Sequence, residues 1–372
     1  MLLCAGTAAR REALSGRARQ LADAIDWAAL AETLRRHRLL ATLGPRVLEL
    51  EGEDVSSDFA LAVAQEIAQT SREGVLLTLV ATQISEALTA CGIRSAVLKG
   101  PPLGEAVYGA PGRRSCSDVD LLVPAEQLPG AVAAVQGLGY EWPRDPVGEN
   151  GLPLLHFAMA HAQRTLPTVE LHWRIHWYEE RFAREQLLAT CIEAPHGWRP
   201  APAADLAALL LFYARDGFTG LRLASDLSAW WDAFGCGVRP GELDRLLESY
   251  PTLRHAVRSA ARVAESVVGL PGARVLRPGP AGVRERTAAR LAKPDPRLAS
   301  AQLYAEVGLV DLLLAPRRGV FEAFRRQVLP SEWTFSAAGH GARVLARYGL
   351  AVARLARSRR RSRRSRDTCS SP

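Results

Sequence analysis

The sequence has no CxxC pair, and none of its six cysteines stands at a zinc-like spacing from a histidine. Dispersed as Cys4, Cys91, Cys116, Cys191, Cys236 and Cys369, they fit a reducing compartment better than a disulfide framework. No apolar run reaches the ~20 residues needed to span a bilayer. The opening MLLCAGTAARRE has too short an apolar run for a secretory signal, and its charges come after that run. A cytoplasmic protein without a membrane span is the expectation. The phosphate loop GxxxxGK[ST], the dinucleotide fingerprint GxGxxG and the nucleophile elbow GxSxG are all missing, which removes three large enzyme classes. No internal repeat is present.

Basic charge is also scarcer than the net +8 suggests. Arg357, Arg359, Arg360, Arg361, Arg363, Arg364 and Arg366 lie in one terminal stretch, RSRRRSRRSRDTCSSP, and without them the chain is nearly neutral. The body is therefore not a basic nucleic-acid surface. The tail repels itself and reads as disordered over 357–372. It offers at most a weak contact with an anionic partner, and no aromatic residue is interleaved with it to stack on bases.

A chain of 372 residues, 48% of them hydrophobic, is long enough for two or three domains with real cores. Residues 1–75 carry apolar residues at helical spacing, as in Leu21 to Leu40, and TSREGVLLTLVATQISEALTACGI continues as an amphipathic helix stopping near Gly92. Short strands are expected at Ser95 to Leu98, Asp118 to Val123, Gly139 to Trp142, Leu154 to Ala160 and Thr168 to Trp173. Helices are expected at Pro101 to Tyr108 and Pro124 to Leu138. From about Glu180 the pattern turns helical, with Asp205 to Tyr213, Phe218 to Phe234, Pro240 to Tyr250 and Thr252 to Val268 clearest. The division is an N-terminal helical region (1–75), a core (76–195), a C-terminal helical domain (196–356) and the tail.

The informative stretch is VLKGPPLGEAVYGAPGRRSCSDVDLLV, Val97 to Val123. Asp118-Val119-Asp120 running into three aliphatics reads as a strand. Alternation puts both carboxylates on one face. Carboxylates held that close repel unless a cation sits between them, and oxygen-only ligands favour a hard ion such as Mg²⁺. A solvated strand end is the bland alternative. The Lys99-Gly100 turn and the Arg113-Arg114 pair nearby favour the functional one. On the strand Thr168 to Trp173, Glu170 and His172 likewise share a face.

These residues resemble the nucleotidyltransferase superfamily of the DNA polymerase β type, and in detail a bacterial branch of it. The matching positions are Leu98-Lys99-Gly100, Tyr108, Arg114, Asp118 to Val123 and, downstream, Glu170-Leu171-His172-Trp173. The helix LRLASDLSAWW, with Arg222 and Asp226, also resembles the branch. The better-known members carry Gly-Ser or Gly-Gly closer to the acidic pair. The resemblance implies an α/β (α+β) fold: a polymerase β-like core with a small mixed sheet, between an N-terminal helical cap and a C-terminal helical domain. It implies a transferase that moves a nucleoside monophosphate from an NTP, ATP among the candidates, to an acceptor hydroxyl or phosphate.

On that reading Asp118, Asp120 and Glu170 hold Mg²⁺ (Mn²⁺ as an alternative), with Glu170 as the third carboxylate and general base. Lys99, Gly100 and Arg114 bind the nucleotide. Each has a plainer counterpart. Glu170 reads as an exposed strand residue, Lys99 as a surface lysine, Gly100 as a turn residue, and Arg113 competes with Arg114. Arg222 and Asp226, four apart on a helix, read as an intrahelical ion pair. His156, His161, His172 and His176 form a loose cluster in which ordinary hydrogen bonding is preferred over a metal trio. A small-molecule acceptor is favoured over protein or RNA. Two other classes stay open: a catalytically inactive nucleotide-binding or scaffold protein, and a nucleic-acid binder acting through the Arg tail.

Overall fold

The computed structural model describes residues 2–22, 24–51, 55–141, 155–177, 179, 181–194, 197–276, 281–292, 301–316, 319–321 and 323. Within them the fold is mixed α+β, mostly helical, with a four-stranded sheet and a separate two-stranded one. No helix of the described residues is long and apolar enough to cross a membrane. The Arg tail and the helices expected beyond residue 323 lie outside the described residues, as do the beginning of the Leu154 strand and Trp142.

Four helices lead in: α1 (Leu2–Ala5), α2 (Ala8–Ala22), α3 (Trp27–Arg36) and α4 (Leu40–Glu51). Asp26 starts α3 by accepting from the Ala29 N–H, one of the donors that has no partner in the first turn of a helix. Then comes α5 (Ser57–Ala90), 34 residues without a proline. It ends at Cys91, and Gly92 takes the left-handed conformation (φ +71), where a residue with a Cβ is strained.

The sheet order is β1 (Ala96–Val97), β2 (Asp118–Leu122), β4 (Thr168–His172), β3 (His156–Met159). The central pair β2–β4 is parallel, with Asp118 opposite Thr168 and Asp120 opposite Glu170. Both outer pairs are antiparallel. One sheet face, Val97, Val119, Leu121, Val123, Val169 and Leu171, packs on the C-terminal half of α5 and on α7 (Leu128–Gln136). The other face carries Asp118, Asp120, Glu170 and His172, as the period of two requires. Its aliphatic members Ala96, Leu98 and Leu122 join the larger helical core.

That larger core draws on both ends of the described chain. Leu34, Leu43, Phe59 and Val63 pack together with α8 (Pro202–Arg215), α9 (Arg222–Phe234), α10 (Glu242–Ser249) and α11 (Arg254–Val268). Thr7 N donates to Val268 O at 2.8 Å, and Ser228 Oγ donates to Ala5 O at 2.7 Å. Two expected elements differ. Of Gly139 to Trp142, the described residues Gly139 to Glu141 supply an isolated bridge, Tyr140 to His161, in place of a strand. The Pro124 helix begins as a short 3₁₀ turn at Ala125–Gln127, and α7 starts at Leu128 with Pro129 in its first turn, where a proline's missing N–H leaves no bond unmade.

Candidate active site

Between β1 and β2 the chain folds through α6 (Pro101–Tyr108). Gly100, at φ +92, makes the turn, and Gly109, at φ +79, closes the helix. Pro111-Gly112 then presses against α5, where a Cβ on Gly112 would collide with Ser71. That close approach aims the next residues, Arg113 and Arg114, in opposite ways. Arg113 stays partly exposed, while Arg114 turns inward.

Asp120 is the centre of the acidic face, and only 1% of it is exposed. Lys99 Nζ lies 2.6 Å from its Oδ2, and His172 Nε2 lies 3.0 Å from its Oδ1. An ionised carboxylate only accepts, so Nε2 of His172 carries the proton and donates. Burial pushes the Asp120 carboxyl up, but Lys99 and the His172 hydrogen bond outweigh it and hold it well below the usual carboxylate range. Lys99 and His172 both also abut Phe212 of α8, the ammonium 5.5 Å from the ring centre.

Glu170 sits one strand over. Its Oε2 is 3.3 Å from His172 Nε2 and 3.5 Å from His156 Nε2. Burial raises this carboxyl, while the His172 hydrogen bond and the nearby His156 bring it below its ordinary value. His156 itself is pushed down to about 4, chiefly by burial and then by His172, so its ring is neutral at pH 7. His156, Glu170 and His172 each bring one ligand atom within 4.8 Å of the others. Two imidazole nitrogens beside carboxylate oxygens suit Mn²⁺ or Zn²⁺ more than oxygen ligands alone do. His161 instead packs on Tyr140, and His176 bridges to Glu179.

Asp118 is half-buried and has no hydrogen bond or ion pair among the described residues. The structure thus gathers Asp118, Asp120, Glu170 and Lys99 at one face, with Gly100 beside the Asp118 backbone.

Arg114, expected to bind the nucleotide, is not among them. The side chain is 3% exposed, and both Nε and Nη2 donate to Asp226 Oδ2 at 2.9 Å. Burial alone would lower the Arg114 pKa, but Asp226 more than reverses it and the guanidinium is held more firmly charged than usual. Tyr108 O–H donates to the other Asp226 oxygen at 3.1 Å. Three motif residues, Tyr108, Arg114 and Asp226, therefore form one buried cluster joining α6 and the loop before β2 to α9. The expected Arg222–Asp226 ion pair is absent because Asp226 is already committed.

Pro101 and Pro102 have no N–H, and Gly104 N donates to Gly100 O at 3.1 Å. The first turn thus offers a phosphate at most the Leu103 N–H.

The model of a family described as an uncharacterised nucleotidyltransferase matches residues 23–269. None of the curated proteins matches the chain. Among solved structures, the antibiotic-resistance factor ANT(2'')-Ia is 17% identical, with 49% of this chain and 94% of that one covered and a TM-score of 0.33. An antigenic nucleotidyltransferase-like protein from Paracoccidioides brasiliensis is 19% identical, with 49% and 92% covered and a TM-score of 0.30.

Proposed function

The chain belongs to the nucleotidyltransferase family matched over residues 23–269, and from that premise we propose a metal-dependent transfer of a nucleoside monophosphate from an NTP to an acceptor hydroxyl or phosphate. The observation that carries the reading is the pairing of Asp120 with Glu170 across parallel strands, with Asp118 on the same face. The donor set suits a divalent cation. Asp120 Oδ2 is buried with no hydrogen bond of good geometry, its charge met only by Lys99, and Asp118 has no partner among the described residues. Asp118, Asp120 and Glu170 would hold Mg²⁺, with Mn²⁺ favoured further if His156 or His172 joins them. Such ions supply charge neutralisation at both ends of an in-line displacement.

The chain's own residues do the rest. Glu170, ionised at neutral pH, accepts the proton of the acceptor hydroxyl. Gly100 lets the backbone approach the nucleotide without a side chain in the way. Lys99, a flexible point charge, would be released from Asp120 to meet the phosphates if a cation took over that carboxylate. The acceptor, a small molecule by preference, sits between the core and the C-terminal helices.

A second reading, nucleotide binding without turnover, is favoured by one observation: Lys99 already neutralises Asp120 at 2.6 Å. Calorimetric titration of the four NTPs with Mg²⁺ or Mn²⁺, on wild type and Asp118→Asn/Glu170→Gln, tests both. Metal-dependent binding lost in the variant, with pyrophosphate release by wild type, supports transfer. Binding that ignores metal and variant alike would sink it.

A further inference from the structure

The sheet face that carries Asp118 also holds a second set of ligand atoms, of a different chemistry. Strands β3 and β4 run antiparallel, with His156 opposite His172 and Ala158 opposite Glu170. Glu170 and His172, two apart on β4, share a face, and cross-strand neighbours on one face are close enough to touch. Ala158 adds only a methyl group opposite Glu170, which leaves room for the His156 ring to reach that carboxylate.

The result is compact. Glu170 Oε2 is 3.3 Å from His172 Nε2 and 3.5 Å from His156 Nε2, and the two ring centres lie 4.4 Å apart. Tetrahedral ligands at the ~2.0–2.2 Å of zinc–nitrogen and zinc–oxygen bonds stand about 3.3–3.6 Å from one another. Both contacts of Glu170 already have that length. Two imidazoles and one carboxylate are a zinc donor set, whereas Asp118 and Asp120 offer oxygen alone. His172 is buried, but His156 and Glu170 are partly exposed, so one side is open to an incoming ion and its water. Neither ring makes a hydrogen bond through Nδ1 among the described residues. Partners at that atom orient metal-bound imidazoles, and losing one costs about 10–100-fold in affinity. Such a site suits an ion that comes and goes.

We propose that His156, Glu170 and His172 form a zinc site whose occupation inhibits the chain. Zn²⁺ takes Nε2 of both rings and Oε2 of Glu170, with water in the fourth position. The proton on His172 Nε2 shifts to Nδ1 of the same ring, and Asp120 keeps Lys99 as its partner. The zinc site rests on the trio alone. Its inhibitory effect rests on the nucleotidyl-transfer reading, in which Glu170 must be free to hold Mg²⁺ and accept a proton.

The test is calorimetric titration of the full chain with ZnCl₂, without nucleotide, on wild type, His156→Phe, Glu170→Gln and Asp118→Asn. Pyrophosphate release from NTP with Mg²⁺ is followed beside it at rising zinc. Wild type and Asp118→Asn should bind one zinc alike. His156→Phe and Glu170→Gln should each bind it at least ten times more weakly, since losing a ligand costs no less than the ~10-fold of losing an outer partner. In His156→Phe, the zinc concentration that halves the variant's own turnover should rise by the same factor. No zinc binding by wild type, or unchanged binding in His156→Phe and Glu170→Gln, overturns the site. Binding lost in Asp118→Asn does so too, because it puts the ion on the aspartates. If Glu170→Gln fails to fold, His156→Phe decides alone. Zinc held by the trio with turnover undiminished overturns the inhibition. Trio-dependent zinc binding without pyrophosphate release from any NTP would leave the site standing and remove nucleotidyl transfer. Turnover by a chain that binds no zinc would do the reverse.

Discussion

Arg114 and Asp226 lie 112 residues apart in the chain, yet meet at 2.9 Å in a region where each is almost wholly buried. The pair ties the loop that leads into Asp118 to a helix of the C-terminal region. Removing one partner of a buried pair leaves the other charged and unsolvated. Arg114→Met and Asp226→Leu should therefore each destabilise by about 3–5 kcal/mol. The double variant should regain much of the loss, as chemical denaturation of the four proteins would measure. Losses that simply add would contradict the pairing.

Asp118 behaves differently, since no described residue supports or needs its charge. Asp118→Asn should leave unfolding within about ±0.5 kcal/mol of wild type. The same change should lower NTP turnover by roughly 10²-fold or more, the scale of losing one electrostatic contact in a transition state. Denaturation and pyrophosphate release, measured on one preparation, separate the two effects.

Acidification tests the Lys99–Asp120 pair. The Asp120 carboxyl is held well below its ordinary value in the folded chain, so the unfolded chain binds the proton more readily. Its contribution is complete above the unfolded value of about 4 and falls away as pH drops towards the folded one. Lys99→Met removes the largest of the influences that lower it. The variant should be clearly less stable at pH 7, and its gap to wild type should narrow below pH about 4. A gap that stays constant down to pH 2 would show that Lys99 does not hold Asp120 ionised.

His156 gives the complementary test. Burial and His172 keep it neutral in the folded chain down to about 4, while the unfolded ring takes a proton near 6.5. Between those values the unfolded state binds more protons, so stability should climb with pH from about 4 to 6.5 and level off above. His156→Phe should flatten that part of the profile. Ring proton shifts followed by NMR would report the His156 titration directly.

The helix Pro101–Tyr108 and the strand from Asp118 were legible because their signals are local. A proline can open a helix, and an acidic-aliphatic alternation fixes the face of a strand. The doubled proline that strips α6 of N–H donors was equally open to view, since Pro101-Pro102 follows Gly100 directly. Periodicity also put Glu170 and His172 on one face, and the parallel register that sets Glu170 against Asp120 agrees with that face. Partners chosen across long separations were not legible. Asp226 has Arg222 one turn away, and local spacing names that pair. The structure gives the carboxylate to Arg114 because the collapsed Pro111-Gly112 turn drives that side chain inward. Neither His156 opposite His172 nor Arg38 beside Ser117 has any sequence signal, since strand order and helix docking decide both.

Helix α5 has a mechanical consequence. At 34 residues it is a rod of about 51 Å. Phe59 and Val63 anchor one end of the rod in the larger core, and Leu77, Val80, Ile84 and Leu88 anchor the other under the sheet. Hinging the sheet away from the helices would have to break or bend an unbroken ladder of backbone hydrogen bonds. The rod thus couples the sheet to the larger core, so that the strands bearing the carboxylates and the helices facing them share one continuous frame.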